Sequence, residues 1–252
     1  MKGRDMSTSI RRSRADRAPL SQQMGIAVAL LACAGLAACT AADTPMPTPT
    51  AEVHTIAPLP SSGDLAPGTY LVTGFTVPFE ITVPEGWTSL GWGAFKEEAG
   101  EWKVAVSFLT VGQAPDRPAY VPTDGCAWRG AIVEVEPSPA AFAAAMRAQL
   151  STATTVPVKV TVGNYSGFEF DYSVERDVDI AGCDHALICV WSERPDACAH
   201  GFPMMNGRET ERVLDINGEL AVIAVAEFVS VDPALRREAY AVFDSIAFAP
   251  DK

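Results

Sequence analysis

A β-hairpin near the C-terminal end of the chain constrains its fold most strongly. Two apolar segments, residues 213–216 and 219–223, flank the pair Asn217-Gly218. Asn-Gly is a preferred pair for a two-residue type I′ turn, because both central positions of that turn have positive φ. The second segment continues to Phe228 as a nearly unbroken apolar run, which is typical of a strand covered on both faces. We therefore expect a sheet with a central, buried strand.

Other segments extend the predicted sheet. Residues 79–83 and 103–109 are rich in β-branched and aromatic side chains and are bounded by turn residues, which indicates strands. Residues 167–174 alternate between apolar and polar, so Glu169 and Asp171 are expected on a solvated strand face. Residues 156–162 precede this strand and are predicted to form a hairpin with it around residues 163–165.

Two helices are marked by a capping residue followed by proline, the preferred order at a helix start. Ser138-Pro139 begins the first and Asp232-Pro233 the second. The expected buried stripe of the first consists of Phe142, Met146 and Leu150. That of the second consists of Leu235, Ala239, Val242, Phe243 and Ile246, with a short strand over residues 245–248.

The order of strands, helix, strands and helix predicts the fold class. We expect an α/β domain of the α+β type over residues 63–252, in which helices pack on a mainly antiparallel sheet. This length is sufficient for one domain with a single core.

An apolar run over residues 24–40 follows a segment rich in arginine, which is typical of a secretory signal peptide. The run is too short for a spanning helix. It ends in Leu36-Ala37-Ala38-Cys39, which resembles the lipobox at which bacterial lipoproteins are cleaved and acylated. Residues 1–38 are thus expected to be removed and Cys39 to be lipidated. Cys33 is a poorer candidate because bulky Leu31 precedes it.

A diacylglyceryl group on Cys39 would hold the chain on the extracytoplasmic face of the cell membrane, since two acyl chains anchor stably where one is marginal. Residues 39–62, with the lipidated cysteine, are rich in Pro and Thr and are expected to form an extended tether. The membrane is then one partner of the protein.

The chain is strongly acidic. Residues 1–38 carry six basic and two acidic side chains, so their removal changes the net charge from −12 to −16. This charge argues against nucleic acid as a partner, because phosphates would be repelled.

Four cysteines remain in the expected domain, and an even number outside the cytosol predicts two disulfides. They allow three pairings. We favour Cys189 with Cys198 across a short polar loop, which leaves Cys126 with Cys183. A metal site among the cysteines and histidines between Cys183 and His200 is the alternative, although the spacing matches no common zinc motif. No metal or other cofactor is expected.

Four segments resemble a known group of proteins. Residues 77–87, 160–167, 214–218 and 243–246 are similar to uncharacterised actinobacterial exported lipoprotein domains, and the layout resembles the Mog1/PsbP-like fold of some mycobacterial surface lipoproteins. The resemblance implies a Mog1/PsbP-like sandwich that acts by binding partners. It supplies no catalytic residues.

The domain contains no nucleophile elbow, phosphate loop or dinucleotide fingerprint. Its two histidines, His185 and His200, lie beside cysteines expected in disulfides. We therefore expect no enzyme activity. Most of the tryptophans are expected in the core, with Trp92 and Trp191 as the expected exceptions; the five are Trp87, Trp92, Trp102, Trp128 and Trp191.

The sequence thus predicts a membrane-anchored extracytoplasmic lipoprotein that binds an unknown envelope protein or ligand without catalysis. Two alternatives remain open. One is a small-ligand or metal-binding surface protein that uses the insert between Cys183 and His200. The other is a hydrolase of the cell wall, which needs only two carboxylates.

Overall fold

The computed structural model of the protein describes residues 56–75, 77–113, 117–202 and 207–248. These residues belong to one folded unit, Glu52–Lys252. The expected lipidation residue Cys39 and the alternative Cys33 lie outside the described residues, as does the expected signal peptide.

The described residues form short and long strands and two α-helices, numbered here in chain order. The strands are β1 (Ala57–Pro58), β2 (Gly63–Leu65), β3 (Gly68–Val72), β4 (Phe79–Val83), β5 (Trp87–Ser89), β6 (Gly93–Glu98), β7 (Glu101–Gln113), β8 (Ala119–Pro122), β9 (Ile132–Val135), β10 (Thr152–Thr154), β11 (Val158–Val162), β12 (Tyr165–Val174), β13 (Ile188–Trp191), β14 (His200–Phe202), β15 (Arg208–Ile216), β16 (Glu219–Glu227) and β17 (Ala247–Phe248). The helices are α1 (Pro139–Ala148) and α2 (Pro233–Asp244).

The main sheet is antiparallel and is organised around the predicted hairpin. Its strand order is β10-β12-β15-β16-β7-β6-β5-β2, and β11 also pairs with β12. Strands β15 and β16 are joined through Asn217 and Gly218, which both have positive φ, as the predicted turn requires. Every residue of β16 is buried, so the prediction of a central strand covered on both faces is confirmed.

One face of the main sheet packs against α2 and a second, four-stranded sheet in the order β1-β3-β4-β17. Side chains from β7, β15 and β16 meet those of α2 in one apolar core, which includes Leu214, Ile223 and Phe243. Helix α2 begins as predicted, because the side chain of Asp232 accepts hydrogen bonds from two backbone N–H groups of the first turn.

The opposite face packs against α1 and two small hairpins, β8–β9 and β13–β14. This second core contains Phe142 and Met146 from α1 and Phe170 and Tyr172 from β12. Antiparallel pairing and helices packed on the sheet confirm the predicted coarse fold class, with strands more numerous than the sequence indicated.

Two expectations about element ends are wrong. Leu150 does not continue the buried stripe of α1, because the helix ends at Ala148 and the Leu150 side chain is 64% exposed. Residues 57–59 are not part of the tether. Strand β1 pairs with β3, and Leu59 packs against the core, so the fold begins before Gly63.

In the described ranges, neither helix is long and apolar enough to cross a membrane.

Candidate functional site

Two disulfides shape the segment that follows β12. Cys126 is bonded to Cys183 and Cys189 to Cys198, so the two expected disulfides are present with the favoured pairing. Because all four thiols are oxidised, none is available as a metal ligand. Within the described parts of the chain, no group of three or more His, Cys, Asp or Glu side chains is arranged to hold a metal ion.

The hairpin β13–β14 carries His200 to the face of the main sheet. The backbone N–H of Cys189 donates to the carbonyl of Gly125 at 2.8 Å, and Ser192 and Tyr120 exchange two backbone hydrogen bonds. The Cys189–Cys198 disulfide closes the hairpin two residues before His200. Backbone hydrogen bonds to residues 120 and 125 therefore hold β13 in place, and the Cys189–Cys198 disulfide ties the start of β14 to it.

The pairing of four strands places small side chains in the middle of this sheet face. Phe95 of β6 is opposite Ala105 of β7, Ala105 is opposite Ala226 of β16, and Ala226 is opposite Glu209 of β15. Two alanines thus lie between a large aromatic ring and a carboxylate. Since alanine fills little of the space above a sheet, this row leaves a depression.

The adjacent row repeats the pattern. Gly93 of β6 is opposite Ser107 of β7, Ser107 is opposite Ala224 of β16, and Ala224 is opposite Glu211 of β15. A Cβ on Gly93 would lie 2.8 Å from the carbonyl oxygen of Val106, so this position has no room for a side chain. Both rows therefore run from β6 over small residues to a buried glutamate of β15.

Aromatic rings surround the open end of the depression. Phe95 is buried and contacts Trp92 edge to face at 4.8 Å and Trp102 at 4.9 Å between ring centroids. Trp92 and Trp102 are 43% and 45% exposed. Phe228, half-buried, lies 6.0 Å from Trp102. The sheet thus presents two indole rings to solvent beside an apolar floor.

We name the resulting cavity, of about 690 Å³, the tryptophan pocket. Its floor comes from the main sheet, and β14 forms one wall. The lining residues are Trp92, Phe95, Gly100, Glu101, Trp102, Ala105, Ser107, Ala199, His200, Gly201, Phe202, Glu209, Ala226, Phe228 and Val229.

The inner wall of the tryptophan pocket is polar. His200 Nε2 lies 3.2 and 3.1 Å from the two carboxylate oxygens of Glu209, whose side chain is almost completely buried. The imidazole stacks on Trp191, with ring centroids 5.0 Å apart. His200 is therefore fixed between an indole plane and a carboxylate.

Glu211 lies behind this pair in a fully buried position. Its carboxyl oxygens have no hydrogen-bond partner among the described residues other than the carboxyl group of Glu209. Burial, then the negative charge of Glu209, and then the hydrogen bond between the two carboxyl groups raise the pKa of Glu211 well above its ordinary value. Burial also raises the pKa of the Tyr172 hydroxyl, with added effects from Glu211 and Glu209. Burial thus favours the protonated form of Glu211.

A larger groove of about 1170 Å³ lies next to the tryptophan pocket and shares Val229 with it. Three of its charged side chains are paired with one another. Arg236 binds Glu227 through two hydrogen bonds of 2.8 and 2.7 Å, and Arg208 lies 3.8 Å from the same carboxylate. The tryptophan pocket is the better candidate site, because it combines an apolar floor, exposed aromatic rings and a polar wall.

The structure corrects one tryptophan prediction. Trp92 is exposed as expected, but Trp191 is buried beneath His200, and Trp102 is exposed in its place. Glu209 and Glu211 were not expected as site residues from the sequence. The sequence gives little signal for them, because positions 209, 211, 213 and 215 of this strand are Glu, Glu, Val and Asp, a pattern typical of a solvated strand face.

No protein-family model matches this chain, and no curated protein is significantly similar to it.

Proposed function

We propose that the chain is a membrane-anchored extracytoplasmic lipoprotein whose domain binds a small organic ligand in the tryptophan pocket without converting it. The observation that carries this proposal is the pair of half-exposed indole rings, Trp92 and Trp102, at the rim of a cavity with an apolar floor. Of the alternatives that the sequence leaves open, this observation favours a small-ligand-binding surface protein that uses the insert between Cys183 and His200.

Aromatic side chains gain free energy when they leave water, so two indoles held at a concave surface provide binding energy for an apolar partner. Phe95 is wedged against both rings and limits their movement. The volume of about 690 Å³ lies within the range of small-molecule sites, roughly 300–1,000 Å³. A ligand of one or two rings fits this cavity better than a protein surface does.

The polar wall supports binding over hydrolysis. Ser107, His200 and Glu209 all line the pocket, and these residue types also occur in serine hydrolases. Among the described residues, however, no hydrogen bond joins His200 to Ser107, and His200 Nε2 is bonded to Glu209. If the pocket were hydrolytic, the protein would cleave a 4-nitrophenyl ester and Ser107→Ala would abolish the cleavage; we expect no cleavage that depends on Ser107.

The lipoprotein part of the proposal rests on residues 24–40. The sequence Leu36-Ala37-Ala38-Cys39 supports lipidation of Cys39 at the outer face of the cell membrane. In the bacterial cell, Cys39→Ala should abolish both incorporation of labelled fatty acid and cleavage after Ala38, whereas Cys33→Ala should leave both intact. Loss of labelling in Cys33→Ala alone would contradict this assignment.

We further propose that the domain belongs with the actinobacterial exported lipoprotein domains and has a Mog1/PsbP-like fold. Helices α1 and α2 on opposite faces of an antiparallel sheet support this proposal. So does the turn at Asn217 and Gly218, which forms one of the resembling segments.

The ligand proposal is tested by calorimetric titration of the purified full-length protein with 4-tert-butylphenol, a neutral probe with one ring. We expect saturable binding that Trp92→Ala and Trp102→Ala each weaken by roughly fivefold or more, since each removes an aromatic contact of about 1 kcal/mol. Val156→Ala is the control, because Val156 is an exposed apolar residue that does not line the pocket. Equal affinity in all variants, or no binding, would overturn the proposal.

A further inference from the structure

Apart from His200, the ionisable side chains that line the tryptophan pocket are acidic. The acids that line it are Glu101 and Glu209, and among its described lining residues none is Lys or Arg. Glu101 forms an exposed ion pair of 2.7 Å with Lys103, which offsets its charge. Glu209, at the inner wall, binds His200 through both carboxylate oxygens and lies beside the buried carboxyl group of Glu211. The inner end of the pocket therefore favours positive charge.

The rings at the rim favour positive charge as well. The face of an aromatic ring is electronegative, and indole is the strongest of the side chains that attract cations in this way. Trp92 and Trp102 stand on either side of Phe95, and each remains about half exposed. A cationic group in the pocket would thus contact indole rings and approach the carboxylate of Glu209.

We infer that the ligand of the tryptophan pocket is an organic cation, with an apolar body that packs on Ala105 and Ala226 and an ammonium group directed toward Glu209. This inference rests on the proposed ligand-binding function and adds the charge and chemical class of the ligand. An anionic ligand is disfavoured, because it would have to approach Glu209 and the electronegative faces of the two indoles.

The net negative charge of the whole protein also favours a cationic ligand. The chain carries a net charge of −12, and a field of this sign raises the local concentration of cations and speeds their association. This effect is screened by salt, whereas contacts inside the pocket are screened much less. A cation preference that persists at high salt therefore originates in the pocket itself.

The test uses three probes of matched shape on the full-length protein: (4-hydroxyphenyl)trimethylammonium, neutral 4-tert-butylphenol and anionic 4-hydroxybenzenesulfonate. Binding is measured by calorimetry in high salt at about pH 7, where the phenol groups of all three probes keep their protons. We expect the cation to bind roughly tenfold more tightly than the neutral probe and the anion to bind most weakly.

A variant locates the preference. Glu209→Gln should reduce the ratio of cation to neutral affinity to about threefold or less, because the indole contribution remains and the carboxylate is lost. Glu227→Gln is the matched control: Glu227 is a buried acid on the opposite face of the neighbouring strand, and its replacement changes the net charge equally. The ratio in this control should equal that of the unmodified protein.

The outcomes separate this inference from the proposed function. Equal affinities for the cation and the neutral probe would overturn the inference and leave the ligand-binding proposal in place. Tightest binding of the sulfonate would also overturn the inference and leave the ligand-binding proposal in place. Absence of binding by all three probes would overturn both. If Glu209→Gln does not fold, the comparison of the three probes on the unmodified protein still decides the inference.

Discussion

Glu209 and Glu211 project from the same face of β15, but only Glu209 is bonded to a histidine. The strand therefore buries two carboxyl groups in different states beside one pocket. Glu209 interacts with His200 at the pocket wall, whereas burial raises the pKa of Glu211 and favours its protonated form. This difference gives the first prediction.

Replacement of Glu211 by glutamine should flatten the dependence of stability on pH. The unfolded chain loses the Glu211 proton near the ordinary pKa of about 4.3, whereas the folded protein retains it. The folded state thus binds more protons than the unfolded state. The free energy of unfolding therefore falls as the pH rises from the pKa of the unfolded chain toward the raised pKa of the folded protein. The slope is roughly 1.4 kcal/mol per pH unit for this group.

The measurement is urea unfolding of the unmodified protein and Glu211→Gln across this pH range. The glutamine variant should lose less stability per pH unit. Glu134→Gln, which replaces an exposed acid of β9, should keep the original slope. Parallel curves for the unmodified protein and Glu211→Gln would contradict the assignment of a buried, protonated acid.

The two histidines of the domain should contribute very differently to stability. Each stacks on a tryptophan, His200 on Trp191 and His185 on Trp128. Only His200 bonds to a buried carboxylate, so His200→Ala leaves Glu209 without its partner and should cost about 1–3 kcal/mol. His185 is exposed, and His185→Ala should change stability little. Thermal unfolding of both variants checks this, and equal losses would show that the bond to Glu209 contributes nothing.

The two disulfides should have separable effects. They join residues 57 and 9 positions apart, so loop entropy predicts losses of about 4 kcal/mol for Cys126→Ala/Cys183→Ala and about 3 kcal/mol for Cys189→Ala/Cys198→Ala. Removal of the shorter link should also weaken ligand binding, because Cys198 precedes the pocket wall at His200. Removal of the longer link should leave affinity unchanged in the folded fraction. A reversed order of affinities would contradict the role of β14 as a wall.

Filling the floor of the pocket should block ligands while preserving the fold. Ala226 is one of the two alanines between Phe95 and Glu209, and it lines the floor of the cavity. Ala226→Leu should reduce affinity for the ammonium probe by at least roughly tenfold, with a loss of stability of about 1–3 kcal/mol, since Ala226 is itself buried in the floor. Calorimetry and thermal unfolding measure the two effects. Full affinity in this variant would place the ligand elsewhere.

The local features of the fold were accessible from the sequence because they depend on neighbouring residues. Asn217-Gly218 indicated its turn, and Asp232-Pro233 indicated the start of α2. By contrast, the turn between β6 and β7 is formed by Ala99 and Gly100, both with positive φ. Alanine rarely adopts this conformation, so the hairpin that positions Trp102 had no comparable signal.

The site was not accessible in the same way. The row from Phe95 to Glu209 exists only because four strands far apart in the sequence pair in one register. Trp191 was expected to be exposed because loop residues surround it, but the disulfide-linked hairpin folds it beneath His200. Register and long-range packing decided these features, and neither is encoded in a local pattern.

The most direct measurement of the central claim is an NMR titration of the full-length protein, followed through the indole N–H resonances of its tryptophans, with (4-hydroxyphenyl)trimethylammonium as the ligand. Trp92 and Trp102 line the pocket, whereas Trp87 and Trp128 are buried elsewhere and serve as internal controls. Saturable shifts of the Trp92 and Trp102 resonances, with those of Trp87 and Trp128 unchanged, are the predicted result. Unchanged Trp92 and Trp102 resonances, or equal shifts of all four, would contradict the assignment of the tryptophan pocket as the ligand site.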